Sequence, residues 1–191
     1  MTLDGECRVL LIGMMGSGKS TIGRLLAEAT DWPYVDNDQL VRRSHGTTAR
    51  QIVAEDGEAQ MRSAEADALA LGVEVAVPAI IGVAAGTILD EANGDRLRTG
   101  GIVVWLRADA SILEERAMGA DHRPFLELGG GPWIRDAIAE RDPLYASVAD
   151  IVIDTGAMLP QESVAEIVAR LRAVSCCHAI ADCDQLRNEV T

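Results

Sequence analysis

The sequence predicts a three-layer α/β/α fold in which a five-stranded parallel sheet carries helices on both faces. Three observations point to it. Short apolar runs alternate with longer segments of helical periodicity, which is how successive strand and crossover-helix units read. The first run, Arg8 to Ile12 (RVLLI), is continuously apolar after its arginine, as a strand covered on both sides has to be. It passes directly into the glycine-rich stretch Gly13-Met14-Met15-Gly16-Ser17-Gly18-Lys19-Ser20, after which a helical pattern begins at once.

The remaining elements follow in order. Ser20 to Ala29 reads as the helix that the glycine-rich stretch opens, and Trp32 to Val35 as a short second strand ending at Asp36-Asn37-Asp38. Gln39 to His45 and Ala49 to Gly72 carry helical periodicity, with Gly46 as a break and Gly57 as a second candidate break. Pro78 to Val83 (PAIIGV) is the third strand and Gly101 to Leu106 (GIVVWL) the fourth, with a helix expected over Thr87 to Arg98. Asp109 or Ser111 suits the cap of a helix running to Met118. Gly119 to Pro132 is rich in glycine and polar residues and reads as a mobile surface segment, a lid over about residues 118–132. Trp133 to Arg141 resumes a helix, Ala149 to Ile153 is the fifth strand, and Pro160 to Val174 is a final helix with proline near its start. No repeat or linker divides the chain. Residues 1–174 are expected to form a single domain and 175–191 a tail.

Composition narrows the possible partners. The 191 residues are 48% apolar and 25% charged, ordinary values for a soluble globular chain. Aromatic residues make up only 3%, which predicts an aliphatic core. A formal charge of -13 argues against a nucleic-acid or anionic-membrane surface, because either would need a basic patch. Any phosphate bound here must be held by a local cluster of cations. Cys7 stands alone, while Cys176, Cys177 and Cys183 crowd the tail beside His178 at spacings that match no common zinc site, so they read as reduced thiols. Neither a signal-peptide pattern nor a run of membrane-spanning length is present, and a cytoplasmic monomer is expected.

Lys19 is the only lysine in the chain; every other permanently cationic side chain is arginine. It occupies the one position of Gly-x4-Gly-Lys-Ser where a phosphate-binding loop needs a compact ammonium on a flexible stem, a place too narrow for a planar guanidinium. Gly13, Gly16, Ser17 and Gly18 supply backbone that can curl around phosphate oxygens, and the following helix adds its dipole. Ser20, with Thr21 beside it, offers a hydroxyl to Mg2+. The residues therefore point to a bound phosphate group with Mg2+. Asp36 and Asp38 lie at the carboxyl end of the second strand, the edge where ligands bind in open α/β sheets. One residue apart on extended chain, they are expected to face the cleft together, one toward Mg2+ through water and one toward an acceptor hydroxyl. The competing reading makes Asp38 a helix cap.

The stretch Gly13 to Leu26, with Asp36-Asn37-Asp38, Asp56-Gly57-Glu58, Arg62 and Glu65, resembles the shikimate kinase family. Asp121-His122-Arg123-Pro124-Phe125-Leu126 is similar to that family's lid segment, and Glu140-Arg141-Asp142-Pro143-Leu144-Tyr145 to its Glu-Arg-x-Pro-Leu-Tyr motif, so the likeness runs from residue 8 to about 172. The resemblance implies a nucleoside-monophosphate-kinase-like fold and transfer of the ATP γ-phosphoryl group to the 3-hydroxyl of shikimate. It implies that Lys19, Asp36 and Arg123 are catalytic, Arg123 closing with the lid onto the phosphoryl group. Arg116 would lie against adenine. Asp38, Arg62 and Arg141 would hold the acceptor, the arginines facing its carboxylate, with Ala85 and Gly86 beneath it. Taken singly, Arg123 reads as a solvated loop charge, and Arg62 or Arg141 as half of a surface ion pair. Their joint occurrence in this order favours the site.

The chain also departs from the family pattern. Val83-Ala84-Ala85-Gly86 stands where three consecutive glycines are usual, and the added methyls are expected to penalise positive φ and alter the acceptor floor. Gly129-Gly130-Gly131 falls in the lid region and does not replace them. Met61 and Val53 occupy places that usually hold phenylalanine, which predicts a less aromatic, more adaptable wall. Gly156-Ala157-Met158 lacks the basic residues that usually support adenine. Two alternatives follow: a kinase for another small anionic polyol or hydroxy acid such as quinate or gluconate, or a nucleotide-binding regulatory homologue without efficient transfer.

Overall fold

The computed structural model describes residues 7–118 and 130–173. Its centre is β1 (Arg8–Ile12), whose side chains alternate between two cores: Val9 and Leu11 enter one, Leu10 and Ile12 the other, each at most 1% exposed. A strand with apolar groups on both sides can sit only where helices cover both faces. Parallel pairing places it between β3 (Ala79–Gly82) and β4 (Ile102–Arg107), with β2 (Tyr34–Val35) and β5 (Ile151–Asp154) at the edges, in the order β2-β3-β1-β4-β5. Because the chain turns one way after β1 and later the other, a crevice opens at the carboxyl end of β1.

One core joins the sheet to α1 (Lys19–Thr30) and α8 (160–173) through Ile22, Leu26, Val164 and Ile167. The opposite core takes in α2 (Asn37–His45), α3 (Ala49–Asp56), α4 (Glu58–Val73), α5 (Glu91–Gly100), α6 (Ala110–Met118) and α7 (Gly130–Val148). It is not wholly aliphatic as composition suggested. Trp105 and Tyr145 are both buried there with ring centroids 5.8 Å apart, so two of the few aromatics are concentrated behind the crevice.

Several boundaries differ from expectation for local reasons. Gly57, at φ 87° and ψ 178°, divides the long helix expected over Ala49 to Gly72 into α3 and α4. The helix expected from Thr87 begins instead as a 3-10 turn, Thr87–Leu89; Asp90 then adopts extended backbone and caps α5 by accepting from Ala92 N–H at 2.8 Å. α7 opens at Gly130, inside the stretch read as lid, and continues through Pro143 to Val148. Among the described residues, no helix is long and apolar enough to cross a membrane. Arg123 with its lid motif, and Cys176, Cys177, Cys183 and His178, lie outside the described residues.

Candidate active site

The crevice is a cleft of about 900 Å3. Every residue assigned to the site from sequence and lying among the described ones lines it, except Gly13. Gly13 sits below, at φ 137°, where a Cβ would run into the Leu106 carbonyl; its own carbonyl accepts a hydrogen bond from Lys19 Nζ at 2.8 Å, and that of Met14 accepts another at 3.0 Å. Gly18 ends the loop in left-handed backbone, φ 97°, and caps α1 without a side-chain hydrogen bond. The first amides of α1 thus lack a capping side chain, the arrangement that receives an anion.

Burial of the ammonium lowers the Lys19 pKa to about 8; the carboxylates of Asp36 and Glu65 pull it back up, and Arg141 pushes it down. Ser17 Oγ is buried beside the loop and has no hydrogen-bond partner. At the loop's outer side Arg116, itself exposed, donates from Nη2 to the Thr155 carbonyl at 2.7 Å and from Nη1 to the Gly16 carbonyl at 3.4 Å. Buried Thr155 donates from Oγ1 to the Ser17 carbonyl at 3.1 Å. Thr155 was not foreseen, for it arrives from the end of β5 and no local pattern marks it.

Asp36, not Asp38, caps α2. Its Oδ1 accepts from Asp38 N–H at 3.1 Å, and its own N–H donates to Gln39 Oε1 at 3.4 Å. The helix therefore starts two residues earlier than expected, and Asp38 lies on its exposed first turn rather than on extended chain. Both still line the cleft. The other Asp36 oxygen, Oδ2, accepts from Ser20 Oγ at 2.9 Å and from the Tyr34 hydroxyl at 2.7 Å.

The other half of the cleft gathers cations. Arg62 on α4 donates from Nη1 to Glu65 at 2.8 Å and from Nη2 to Glu58 at 2.9 Å. Its guanidinium lies on the Cα of Gly86, where any Cβ would collide with Nη1. Glu65 is buried at 8% exposure; desolvation raises its pKa against the opposing pull of Arg62, Arg141 and Lys19. Sequence showed Glu65 but assigned it no role, although its i,i+3 spacing from Arg62 was a usable signal. Arg141, on α7, is 6% exposed; its Nε makes no hydrogen bond and stands 3.9 Å from Glu140 Oε2. The Arg141 guanidinium carbon lies 5.6 Å from the Trp133 ring centroid. Trp133 also lines the cleft, so the wall formed by Met61 and Val53 regains an aromatic face that their identities had seemed to remove.

The floor differs from expectation as well. Among the described residues the sole non-glycine with positive φ is Asp31, and Gly86 itself is at φ -87°. Ala84 and Ala85 are thus in ordinary backbone, and their methyl groups cause no strain. The Ala85 carbonyl accepts a 2.7 Å hydrogen bond from the Tyr145 hydroxyl.

A phosphate loop with a half-buried lysine, a hydroxyl and carboxylate at its lip, and two arginines facing them across one cleft define a small-molecule kinase, a phosphotransferase with an alcohol acceptor. The sequence model described as shikimate kinase matches residues 15–172. A shikimate kinase of Symbiobacterium thermophilum is 38% identical over 167 residues, covering 86% of this chain and 95% of the relative. The structure of an Acinetobacter baumannii shikimate kinase in complex with shikimate superposes with a TM-score of 0.81 at 28% identity, covering 87% of this chain and 93% of that one. A gluconokinase from Sinorhizobium meliloti, with a TM-score of 0.61 at 22% identity over 95% and 99% of the two chains, shares the fold alone. The chain belongs to the shikimate kinase family.

Proposed function

We propose that this protein transfers the γ-phosphoryl group of ATP to the 3-hydroxyl of shikimate in an Mg2+-dependent reaction. The observation that carries the acceptor half is Arg141: a buried arginine whose Nε has no hydrogen-bond partner, aimed into a cleft that Arg62 also faces. Leaving such a donor unmatched is costly, and a bound carboxylate removes the cost. An acceptor bearing a carboxylate and ring hydroxyls meets this half of the cleft, with Trp133 against its apolar face and Asp38 placed to take a proton from the attacking hydroxyl.

On the donor side, Lys19 and the α1 amides would receive the phosphates, while Arg116 and Met158, which also line the cleft, would border the nucleoside. Ser20 Oγ and Asp36 Oδ2, 2.9 Å apart, are hard oxygen donors suited to Mg2+. Two such donors would leave most of the cation's coordination to phosphate and water oxygens. Held by these two side chains, the cation would supply neutralisation of phosphate charge. The protein's own work is alignment and charge gathering, since phosphoryl transfer requires little covalent help. By the family resemblance, Arg123 would supply a further cation to the transferred phosphoryl group.

ADP release measured with shikimate, quinate and gluconate tests this reading. Turnover with shikimate and little with the others is expected; none at millimolar shikimate overturns it, and ATP binding without acceptor-dependent release marks a regulatory homologue.

A further inference from the structure

We propose that Tyr34 is a positioning residue for phosphoryl transfer: its hydroxyl fixes the Asp36 carboxylate beside Ser20 and thereby sets how strongly a divalent cation is held on the bound nucleotide. The inference rests on the Mg2+-dependent kinase reading and extends it to a residue outside that reading.

The phenol occupies a slot left open by two glycines from different elements. A Cβ on Gly23 of α1 would strike the ring, and one on Gly82 at the end of β3 would come to 2.5 Å from the hydroxyl oxygen. Glycine inside a helix or strand costs roughly 0.5 to 1 kcal/mol relative to alanine. Two such positions leave room for one half-buried ring whose hydroxyl then emerges toward Asp36. Packing alone would explain the ring. It does not explain the 2.7 Å bond to Oδ2, which has the short distance of a hydroxyl donating to a charged carboxylate.

Oδ2 accepts from two hydroxyls, Tyr34 and Ser20, while Oδ1 is tied to the Asp38 amide. The Ser20 oxygen can offer a lone pair to a cation while its proton stays on Oδ2, but its direction is then set by the cation as well. The Tyr34 and Asp38 bonds grip opposite oxygens independently of the cation, so the carboxylate keeps its plane and its direction. Without the phenol hydroxyl, only the cap bond restrains it independently of the metal. Partners that orient a metal-side carboxylate are typically worth about 10- to 100-fold in metal affinity.

The test is the ratio of ADP dissociation constants without and with Mg2+, measured by calorimetry on the full chain for wild type, Tyr34→Phe and Tyr34→Leu. Phenylalanine fills the same slot and removes only the oxygen. The expected result is a ratio reduced about tenfold in Tyr34→Phe, with metal-free ADP binding within about twofold of wild type. Tyr34→Leu should show the same reduction together with a lower melting temperature, because it also empties the slot. A wild-type ratio above one that survives unchanged in Tyr34→Phe overturns the inference alone, as does an equal loss of metal-free binding. A wild-type ratio of one overturns the Mg2+ reading and this inference with it. A second measurement needs no variant. The chain has two tyrosines, and with 13C-labelled ring carbons the Tyr34 resonance should shift when Mg2+ is added to the ADP complex; a resonance indifferent to the metal overturns the proposal.

Discussion

The Tyr145 hydroxyl donates a 2.7 Å hydrogen bond to the carbonyl of Ala85, tying the inner face of α7 to the loop after β3. Tyr145 is 1% exposed and stacks near Trp105, so its hydroxyl has little freedom to seek another acceptor. Removing it leaves a part-buried carbonyl without its partner, which costs about 1 to 3 kcal/mol. Tyr145→Phe should therefore lower stability by that amount in urea unfolding, and raise the acceptor KM more than the ATP KM, because the loop it steadies belongs to the proposed acceptor side.

Gly86 is constrained by Arg62 rather than by its own backbone angles. Gly86→Ala should displace the guanidinium from Glu65 and raise the acceptor KM, with ATP binding retained. Ala84→Gly should behave oppositely to a strained position: it frees the unfolded chain and lowers stability by about 0.4 to 1 kcal/mol. A gain in thermal stability for Ala84→Gly would contradict the unstrained backbone described for this loop.

Lys19→Ala should reduce kcat by at least about 100- to 1000-fold, the scale for losing a preorganised donor at developing charge. Burial holds its pKa near 8 against an ordinary 10.5, so the folded chain binds that proton less firmly than the unfolded one. The resulting penalty is full below about pH 8 and fades as pH rises toward 10.5. Wild type should accordingly gain stability relative to Lys19→Met across that window. A polyphosphate beside the ammonium restores its affinity for the proton, so ADP binding at about pH 8.5 should take up protons, read as calorimetric heats that change with buffer ionisation enthalpy.

Arg141→Lys keeps the charge but not the planar donor set, and should raise the acceptor KM at least about tenfold while leaving the ATP KM near its original value. Asp38→Asn should likewise weaken acceptor use more than nucleotide binding. Equal losses on both substrates in steady-state kinetics would contradict the division of the cleft.

The phosphate loop was legible in sequence because its chemistry is contiguous: Gly13 to Thr21 sit on one loop and the first turn of one helix. Arg62 and Arg141 come from α4 and α7, and each alone looked like a surface ion pair. Only their order along the chain pointed to a site. Asp36 and Asp38 both read as cleft residues, but only Asp38 offered a competing reading as a cap, since a two-residue shift of a helix start leaves little trace in periodicity. Tyr34 was invisible as a functional residue. Its slot requires Gly23 and Gly82 to meet in space, and neither glycine says so locally. The expected strain at Ala84 and Ala85 was read from residue type, whereas the loop reaches Arg62 with negative φ throughout.

The solitary lysine has a practical consequence. Apart from the amino terminus, the chain presents a single aliphatic amine to acylating reagents, and that amine is half neutral near pH 8. Mild alkaline labelling followed by mass spectrometry therefore reports on one peptide, and protection of that peptide becomes a direct gauge of nucleotide occupancy that needs neither acceptor nor turnover.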